Sequence, residues 1–192
     1  PVSFGAPMVL PPWTGQVGLG RVEITQAEPA TAQAIVAILN AQGVDASAVT
    51  TPSGTAQTVI LTEGLSAADA ATRHWAALAH ARSARSSGAR IILLQSAAPQ
   101  SQTAITGMPG LSRTLQKEWP DTSVATWSLS AIDAPTRAHH ILSALGITLG
   151  DAILTADGQA RQTHVAASLA PPSTHAPTAP ALWLVTGGAR GV

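Results

Sequence analysis

The sequence predicts an α/β fold in which a mostly parallel sheet carries helices on both faces. Short apolar stretches alternate with amphipathic stretches of helical period over most of the 192 residues. The stretches at 58–62 and 90–95 are apolar almost throughout, as in parallel strands buried on both faces. An Asp157-Gly158 pair between the last two strand-like stretches indicates an antiparallel hairpin at the end of the domain.

Composition and charge exclude several classes of function. Ten Lys and Arg residues balance ten Asp and Glu residues, so nothing could neutralise a run of phosphates and we expect no nucleic-acid partner. The absence of cysteine excludes disulfides, thiolate zinc sites and cysteine nucleophiles. No apolar stretch approaches the ~18 residues of a membrane helix. Without a signal pattern either, we expect a cytoplasmic protein with no membrane contact.

The first elements follow from local signals. Residues 1–20 are rich in proline and glycine, which predicts a linker. A helix is expected to begin near Pro29 and to end near Gly43, because proline fits a first turn and glycine a helix end. The strands predicted in this part cover residues 22–25, 44–50 and 58–62.

A long helix is predicted after the strand at 58–62. Ser66 and Asp69 are spaced as in a capping box, so the helix should begin at Ser66. Trp75, Leu78 and the interleaved alanines should form the apolar stripe that faces the core, and Gly88 should end the helix.

The second half of the chain continues the alternation. Further helices are expected over residues 103–119 and 135–145, and further strands over residues 90–95, 124–129, 151–155 and 161–168. Residues 21–170 would thus form one domain. Four prolines predict a semi-rigid linker over 171–181, and a new apolar strand begins at residue 182.

Closely spaced glycines follow this last strand. The residues predicted to bind a cofactor are Thr186, Gly187, Gly188, Ala189, Arg190 and Gly191. Glycine permits a sharp turn and a close approach of backbone N–H groups to a pyrophosphate, and the next helix would point its positive end at it.

The two earlier strand–helix junctions lack this chemistry. Residues 25–29 contain no glycine, and Glu28 would repel a pyrophosphate. Residues 62–66 contain one glycine and an acid. We therefore expect residues 21–170 to bind no cofactor.

Two stretches resemble a known family. Residues 186–192 resemble the T-G-x-x-x-G-x-G cofactor turn of short-chain dehydrogenases/reductases, one residue short of its last position. Arg190 lies where NADPH-preferring members often carry a basic residue. Residues 110–120, Gly-Leu-Ser-Arg-Thr-Leu-Gln-Lys-Glu-Trp-Pro, are similar to a helix in ketoreductases of type I polyketide synthases and polyunsaturated-fatty-acid synthases. That helix belongs to their non-catalytic, Rossmann-like half, which also ends in a hairpin and a linker.

The resemblance implies a three-layer Rossmann-like domain within a multifunctional enzyme, truncated here at the second Rossmann strand (182–192). The complete ketoreductase would reduce a β-ketoacyl thioester with hydride from NADPH, the acyl chain being tethered to an acyl carrier protein. Family members use a Ser, a Tyr and a Lys. This chain has no Tyr, and its only Lys is Lys117, so the catalytic residues are expected in a downstream catalytic subdomain. NADPH is expected to bind the complete protein and not this chain.

Alternatives remain open from the sequence. The chain could be a flavodoxin-like interaction module with no linked reductase, or part of an enoyl reductase of the same kind of megasynthase. Adjacent His139 and His140 point about 100° apart on a helix, and no ligand spacing for a metal occurs elsewhere. The cluster formed by Arg82, Arg85 and Arg90 is interpreted as a solvated helix surface, with a docking patch for an acidic carrier protein as the alternative.

Overall fold

A computed structural model describes residues 2–15, 18–86, 88–97, 107–147 and 149–165. Within these residues, nine strands and four helices alternate along the chain. The strands are β1 (Val2–Phe4), β2 (Met8–Val9), β3 (Val22–Thr25), β4 (Ala46–Val49), β5 (Thr58–Gly64), β6 (Arg90–Ser96), β7 (Ser123–Leu129), β8 (Ala152–Leu154) and β9 (Gln159–Val165). The helices are α1 (Pro29–Ala41), α2 (Ala70–Ala84), α3 (Met108–Glu118) and α4 (Ala134–Leu145).

The strands form one mixed sheet that confirms the predicted α/β class. Six strands run parallel in the order β4-β3-β5-β6-β7-β8, and β9 joins antiparallel to β8 through the predicted hairpin. The amino-terminal strands β1 and β2 pair with the far side of β9. The parallel part has the order of flavodoxin-like doubly wound folds.

Helices cover both faces of the sheet. On β6, Ile92 and Leu94 pack towards α1 and α4, whereas Ile91 and Leu93 pack towards α2 and α3. This alternation follows from the period of two along a strand. It explains why the middle positions of β5 and β6 are consecutive apolar residues, since both of their faces are buried.

Carboxylates begin three of the four helices. Glu28, Asp69 and Asp133 each accept a hydrogen bond from the backbone N–H three residues later, at the amino ends of α1, α2 and α4. The predicted start of α2 at Ser66 is therefore wrong. Asp69 is the cap, because it can accept from both the backbone N–H and the hydroxyl of Thr72.

Residues 2–15 and 18–20, within the stretch whose composition predicts a linker, contribute to the sheet and the core. Leu10 and Leu19 are only 8% and 3% exposed. The Leu10 N–H donates to the Gly158 carbonyl (3.0 Å), and the Thr58 hydroxyl donates to the Leu19 carbonyl (2.9 Å). Proline and glycine lower the propensity for regular structure, but they do not prevent the apolar residues between them from being buried.

The orientation of α2 differs from the prediction. Trp119 and Trp127 are buried, but Trp75 is 72% exposed on α2. The core face of α2 is formed by Ala77, Ala81 and Ala84. Small side chains allow a helix to lie close to the sheet, and this orientation turns Trp75 outwards.

The predicted linker at 171–181 and the last apolar strand lie outside the described residues. The division of the chain at residues 170 and 181 therefore stays a prediction.

Candidate functional site

The strand order places a ligand-binding position of this architecture between β3 and β5. After β3 the chain enters α1 on one face of the sheet, and after β5 it enters α2 on the other. In open α/β sheets a crevice forms where the connections diverge in this way, outside the carboxyl ends of the strands. The residues at this switch point are 25–28 and 62–65.

Two threonines join the strand ends across the switch point. The Thr62 N–H donates to the Thr25 hydroxyl oxygen (2.8 Å), and the Thr62 hydroxyl donates to the Thr25 carbonyl (2.7 Å). The Thr62 hydroxyl oxygen also accepts the Glu28 N–H (3.1 Å). Both threonines are fully buried. These bonds satisfy the backbone groups that a ligand would otherwise meet at this position.

A carboxylate occupies the amino end of α1, where a dinucleotide-binding fold holds a phosphate. Oε2 of Glu28 accepts the Thr31 N–H at 2.8 Å. Arg137 of α4 approaches the same oxygen at 3.6 Å and donates to the Thr31 hydroxyl at 2.9 Å. The helix dipole and the guanidinium therefore already have an anion within the chain.

Contacts within the chain thus fill the switch point. No glycine brings backbone N–H groups towards a ligand at Thr25–Glu28, and a negative charge lies where the pyrophosphate oxygens would be placed. The phosphates of a dinucleotide at this end of α1 would be repelled by the Glu28 carboxylate. They could reach the helix end only by displacing that carboxylate.

Near its carboxyl end, β5 carries a buried carboxylate that contacts a histidine of α2. Glu63 is 2% exposed, and its Oε1 lies 2.7 Å from Nδ1 of His80 on α2. Its other oxygen has no hydrogen-bond partner in the part of the chain that the structure describes. The next residue, Gly64, lies at an irregularity in the β5–β6 pairing. A Cβ there would overlap the Leu94 carbonyl oxygen, so the second junction is also closely packed.

The arginines predicted as one cluster are separated in the structure. The Arg85 guanidinium lies over Trp119, 5.2 Å from the ring centroid, beside a cavity of about 230 Å³ at the amino ends of β6 and β7. Arg90 is turned inwards, donates to the Leu145 and Ile147 carbonyls, and has a pKa lowered by burial. The interpretation of all three as one solvated surface is therefore wrong for Arg90.

Sequence reasoning placed Thr25 and Thr62 at the two strand–helix junctions, but it predicted neither the hydrogen bonds between them nor the approach of Arg137. A threonine at a strand end is common, and the contact between Arg137 and Thr31 joins positions 106 residues apart in the chain. The signal available in the sequence was the acidic Glu28 beside Pro29. In the structure its carboxylate caps the amino end of α1 and lies near Arg137.

The other predicted site residues stay predictions. Thr186, Gly187, Gly188, Ala189, Arg190 and Gly191 lie outside the described residues. Within the described ranges, no three His, Asp or Glu side chains are grouped so that they could hold a metal ion. None of the described helices has the length and apolar character needed to cross a bilayer.

Comparisons with known proteins give a likeness in fold. No protein-family model matches the chain, and no curated protein matches it. The chain is similar to a solved structure of A-type ketoreductases from a modular polyketide synthase, with a TM-score of 0.54 and 17% sequence identity. The match covers 90% of this chain and 44% of that one, so the chain spans less than half of its structural neighbour.

Proposed function

We propose that this domain is the structural, non-catalytic half of an NADPH-dependent β-ketoacyl thioester reductase within a cytoplasmic polyketide or fatty-acid megasynthase. Its role is to brace a downstream catalytic subdomain that reduces the substrate carried by an acyl carrier protein. The closed switch point carries this proposal, because the Glu28 carboxylate and the Thr25–Thr62 hydrogen bonds occupy the position where a nucleotide-binding half holds its cofactor.

Two further observations support the proposal. The fold is similar to that of a ketoreductase, and the match covers only 44% of that protein. The glycines suited to a pyrophosphate occur at 187–191, outside this domain, and the basic residue suited to the NADPH 2′-phosphate is Arg190. In this proposal the cofactor binds Thr186 to Gly191 once the catalytic subdomain is present.

The proposal is tested by comparing cofactor binding by this chain and by the complete protein. Calorimetric titration of the 192-residue chain with NADPH should give no micromolar binding, whereas the complete protein should bind. In the complete protein, Glu28→Gln should leave the NADPH affinity unchanged. Arg190→Ala should weaken NADPH binding about tenfold or more, as expected for loss of a charged contact to phosphate, and weaken NADH binding less.

The alternatives give different results. Micromolar NADPH binding by the 192-residue chain would contradict the structural role. A reading frame that lacks a Y-x-x-x-K sequence after residue 192 would favour an interaction module without a linked reductase. Reduction of enoyl thioesters but not β-ketoacyl thioesters by the complete protein would favour the enoyl reductase.

A further inference from the structure

The turn between β8 and β9 contains a peptide bond that is chemically reactive. Asp157 precedes Gly158, and no other Asp or Asn of the 192 residues is followed by glycine. An aspartyl side chain can react with the backbone nitrogen of the next residue, and glycine leaves that nitrogen unshielded because it has no Cβ. Asp157 is exposed, so water reaches its carboxyl group.

The contacts of the turn hold the two reacting groups in place. The Asp157 carboxylate accepts hydrogen bonds from the Thr155 hydroxyl and, at 2.9 Å, from the Gln159 side-chain amide. The Gly158 N–H, which would have to attack this carboxyl group, donates to the Thr155 carbonyl at 3.2 Å. The Gly158 carbonyl accepts the Leu10 N–H at 3.0 Å, so the segment after β2 also holds this peptide unit. The reaction therefore requires the turn to open.

We propose that Asp157 is a site of spontaneous conversion to isoaspartate, and that the hydrogen bonds made by Thr155 and Gln159 limit its rate in the folded chain. In the first step the Gly158 nitrogen attacks Cγ of the protonated Asp157 carboxyl group. The bond from nitrogen to Cγ forms, the bond from Cγ to the hydroxyl oxygen breaks, and that hydroxyl leaves with the nitrogen's proton as water.

Water completes the rearrangement in a second step. It adds to the main-chain carbonyl carbon of Asp157 in the five-membered ring, and the bond from this carbon to the Gly158 nitrogen breaks. The nitrogen keeps a proton, the carbon becomes a free carboxylate, and the peptide continues through Cγ. The water lost in the first step is regained in the second, so the product has the mass of the original chain.

Isoaspartate would disturb the pairing of three strands, because it adds one carbon atom to the main chain inside a tight turn. Gly158 has a φ of 76°, as its position in this turn requires. Two residues later, Ala160 pairs with Leu154 of β8 on one side and with Met8 of β2 on the other. The carbonyl that accepts the Leu10 N–H would be displaced, so amide hydrogen exchange at Leu10 should become faster in the isomerised chain.

Incubation of the 192-residue chain in its folded state and in guanidinium chloride tests this proposal. The tryptic peptide that spans residues 138–161 contains both Asp157 and Asp151, and electron-transfer mass spectrometry distinguishes isoaspartate at the two positions. Isoaspartate should form at Asp157 and not at Asp151, and it should form about tenfold or more faster in guanidinium chloride, where the turn is open. Thr155→Val should raise the rate in the folded chain about tenfold, as expected for the loss of one or two hydrogen bonds.

A matched variant separates these contacts from a general weakening of the hairpin. Thr163→Val removes a hydroxyl of β9 that donates to the Asp151 carbonyl at 3.2 Å, away from the turn, and should leave the rate unchanged. Equal rates in the folded and unfolded chain would overturn the proposal, as would an unchanged rate in Thr155→Val or an equal increase in Thr163→Val. Isoaspartate that forms as fast at Asp151 as at Asp157 would overturn the choice of site. None of these results depends on NADPH binding, so failure here is distinguishable from failure of the proposed function.

Discussion

At the residue scale, the side chains at the switch point hydrogen-bond to groups of the chain itself, in the position where this architecture can bind a ligand. The hydroxyl and the N–H of Thr62 make three hydrogen bonds to Thr25 and Glu28. Buried polar groups of this kind contribute little net free energy when all are paired, but they are costly when one partner is removed. Thr62 should therefore be intolerant of changes that keep its shape and remove its hydroxyl.

Thr62→Val should lower the free energy of unfolding by about 1–3 kcal/mol, because it leaves the Thr25 carbonyl and the Glu28 N–H without that hydroxyl. Urea denaturation followed by circular dichroism measures the change. Thr62→Ser keeps the hydroxyl and should recover most of the loss. The matched control is Thr51→Val at an exposed position, and an equal effect there would contradict the role given to Thr62.

The buried Glu63 gives a second prediction at this scale. His80→Ala should destabilise the fold by about 2–4 kcal/mol, because it leaves a buried carboxylate without its partner at 2.7 Å. Glu63→Gln should cost less, since it removes the buried charge and keeps the side-chain size. Urea denaturation of both variants, with His139→Ala as an exposed control, checks the order. A smaller effect for His80→Ala than for Glu63→Gln would contradict the view that the Glu63 carboxylate depends on His80.

At the element scale, local signals placed the helices well, but the choice among neighbouring cap residues needed the structure. Pro29 marked the start of α1, and Pro135 lies one residue into α4. For α2, both Ser66 and Asp69 are good cap residues, and the spacing alone favoured Ser66. The structure selects Asp69 because Ser66 instead donates its hydroxyl to the Glu63 carbonyl in the turn after β5.

These caps make stability depend on pH in the acid range. The Thr72 hydroxyl and then the Thr72 N–H lower the pKa of Asp69, and the Thr136 N–H and then its hydroxyl lower the pKa of Asp133. A carboxyl whose pKa is lower in the folded state stabilises the fold above its unfolded pKa of about 3.9, and this contribution is lost as the pH falls through the folded value.

The double variant Asp69→Asn with Asp133→Asn should therefore show a smaller fall in unfolding free energy between about pH 5 and pH 2 than the unaltered chain. Asparagine keeps the cap but does not titrate. Urea denaturation at a series of pH values measures the slope. Asp45→Asn, at an exposed carboxylate that caps no helix, is the control. An unchanged slope in the double variant would contradict the contribution of the caps.

Replacing Gly64 or Gly110 by alanine should change the stability of the fold in opposite directions. At Gly64, in the β5–β6 irregularity, the added methyl group would overlap the Leu94 carbonyl, so Gly64→Ala should cost about 1–3 kcal/mol or more. Gly110 is exposed within α3 and has open space around it, so Gly110→Ala should stabilise by about 0.5–1 kcal/mol. Thermal denaturation of the two variants compares them directly. Equal changes in stability for the two variants would mean that the Leu94 carbonyl does not restrict residue 64 to glycine.

At the scale of the whole molecule, the repeating pattern of strand and helix was sufficient to predict the parallel sheet and its hairpin. The pattern could not show which side of α2 faces the core, because alanines occur all around that helix and Trp75 was the largest candidate. Nor could it reveal β1 and β2, which are two or three residues long and pair with a strand about 150 residues later. Short segments of this kind become strands only through their partners.

A deletion tests whether the amino-terminal segment stabilises the fold and covers the edge of β9. Deleting residues 1–20 removes the buried side chains of Leu10 and Leu19, each worth about 1.5–3 kcal/mol of apolar burial. It also leaves β9 as an unpaired edge, which is prone to pair with other chains. The truncated chain should unfold at a lower urea concentration and aggregate at concentrations where the intact chain stays dispersed.

Leu10→Ala and Leu19→Ala separate these two effects, because they remove core contacts and keep β1 and β2. Each should cost about 2–5 kcal/mol, as expected for a large-to-small change in a packed core, without promoting aggregation. Val9→Ala, at a side chain 76% exposed, is the matched control and should change neither property. If the deletion leaves both the urea midpoint and the aggregation unchanged, residues 1–20 are the linker that their composition indicates, and β9 does not need them.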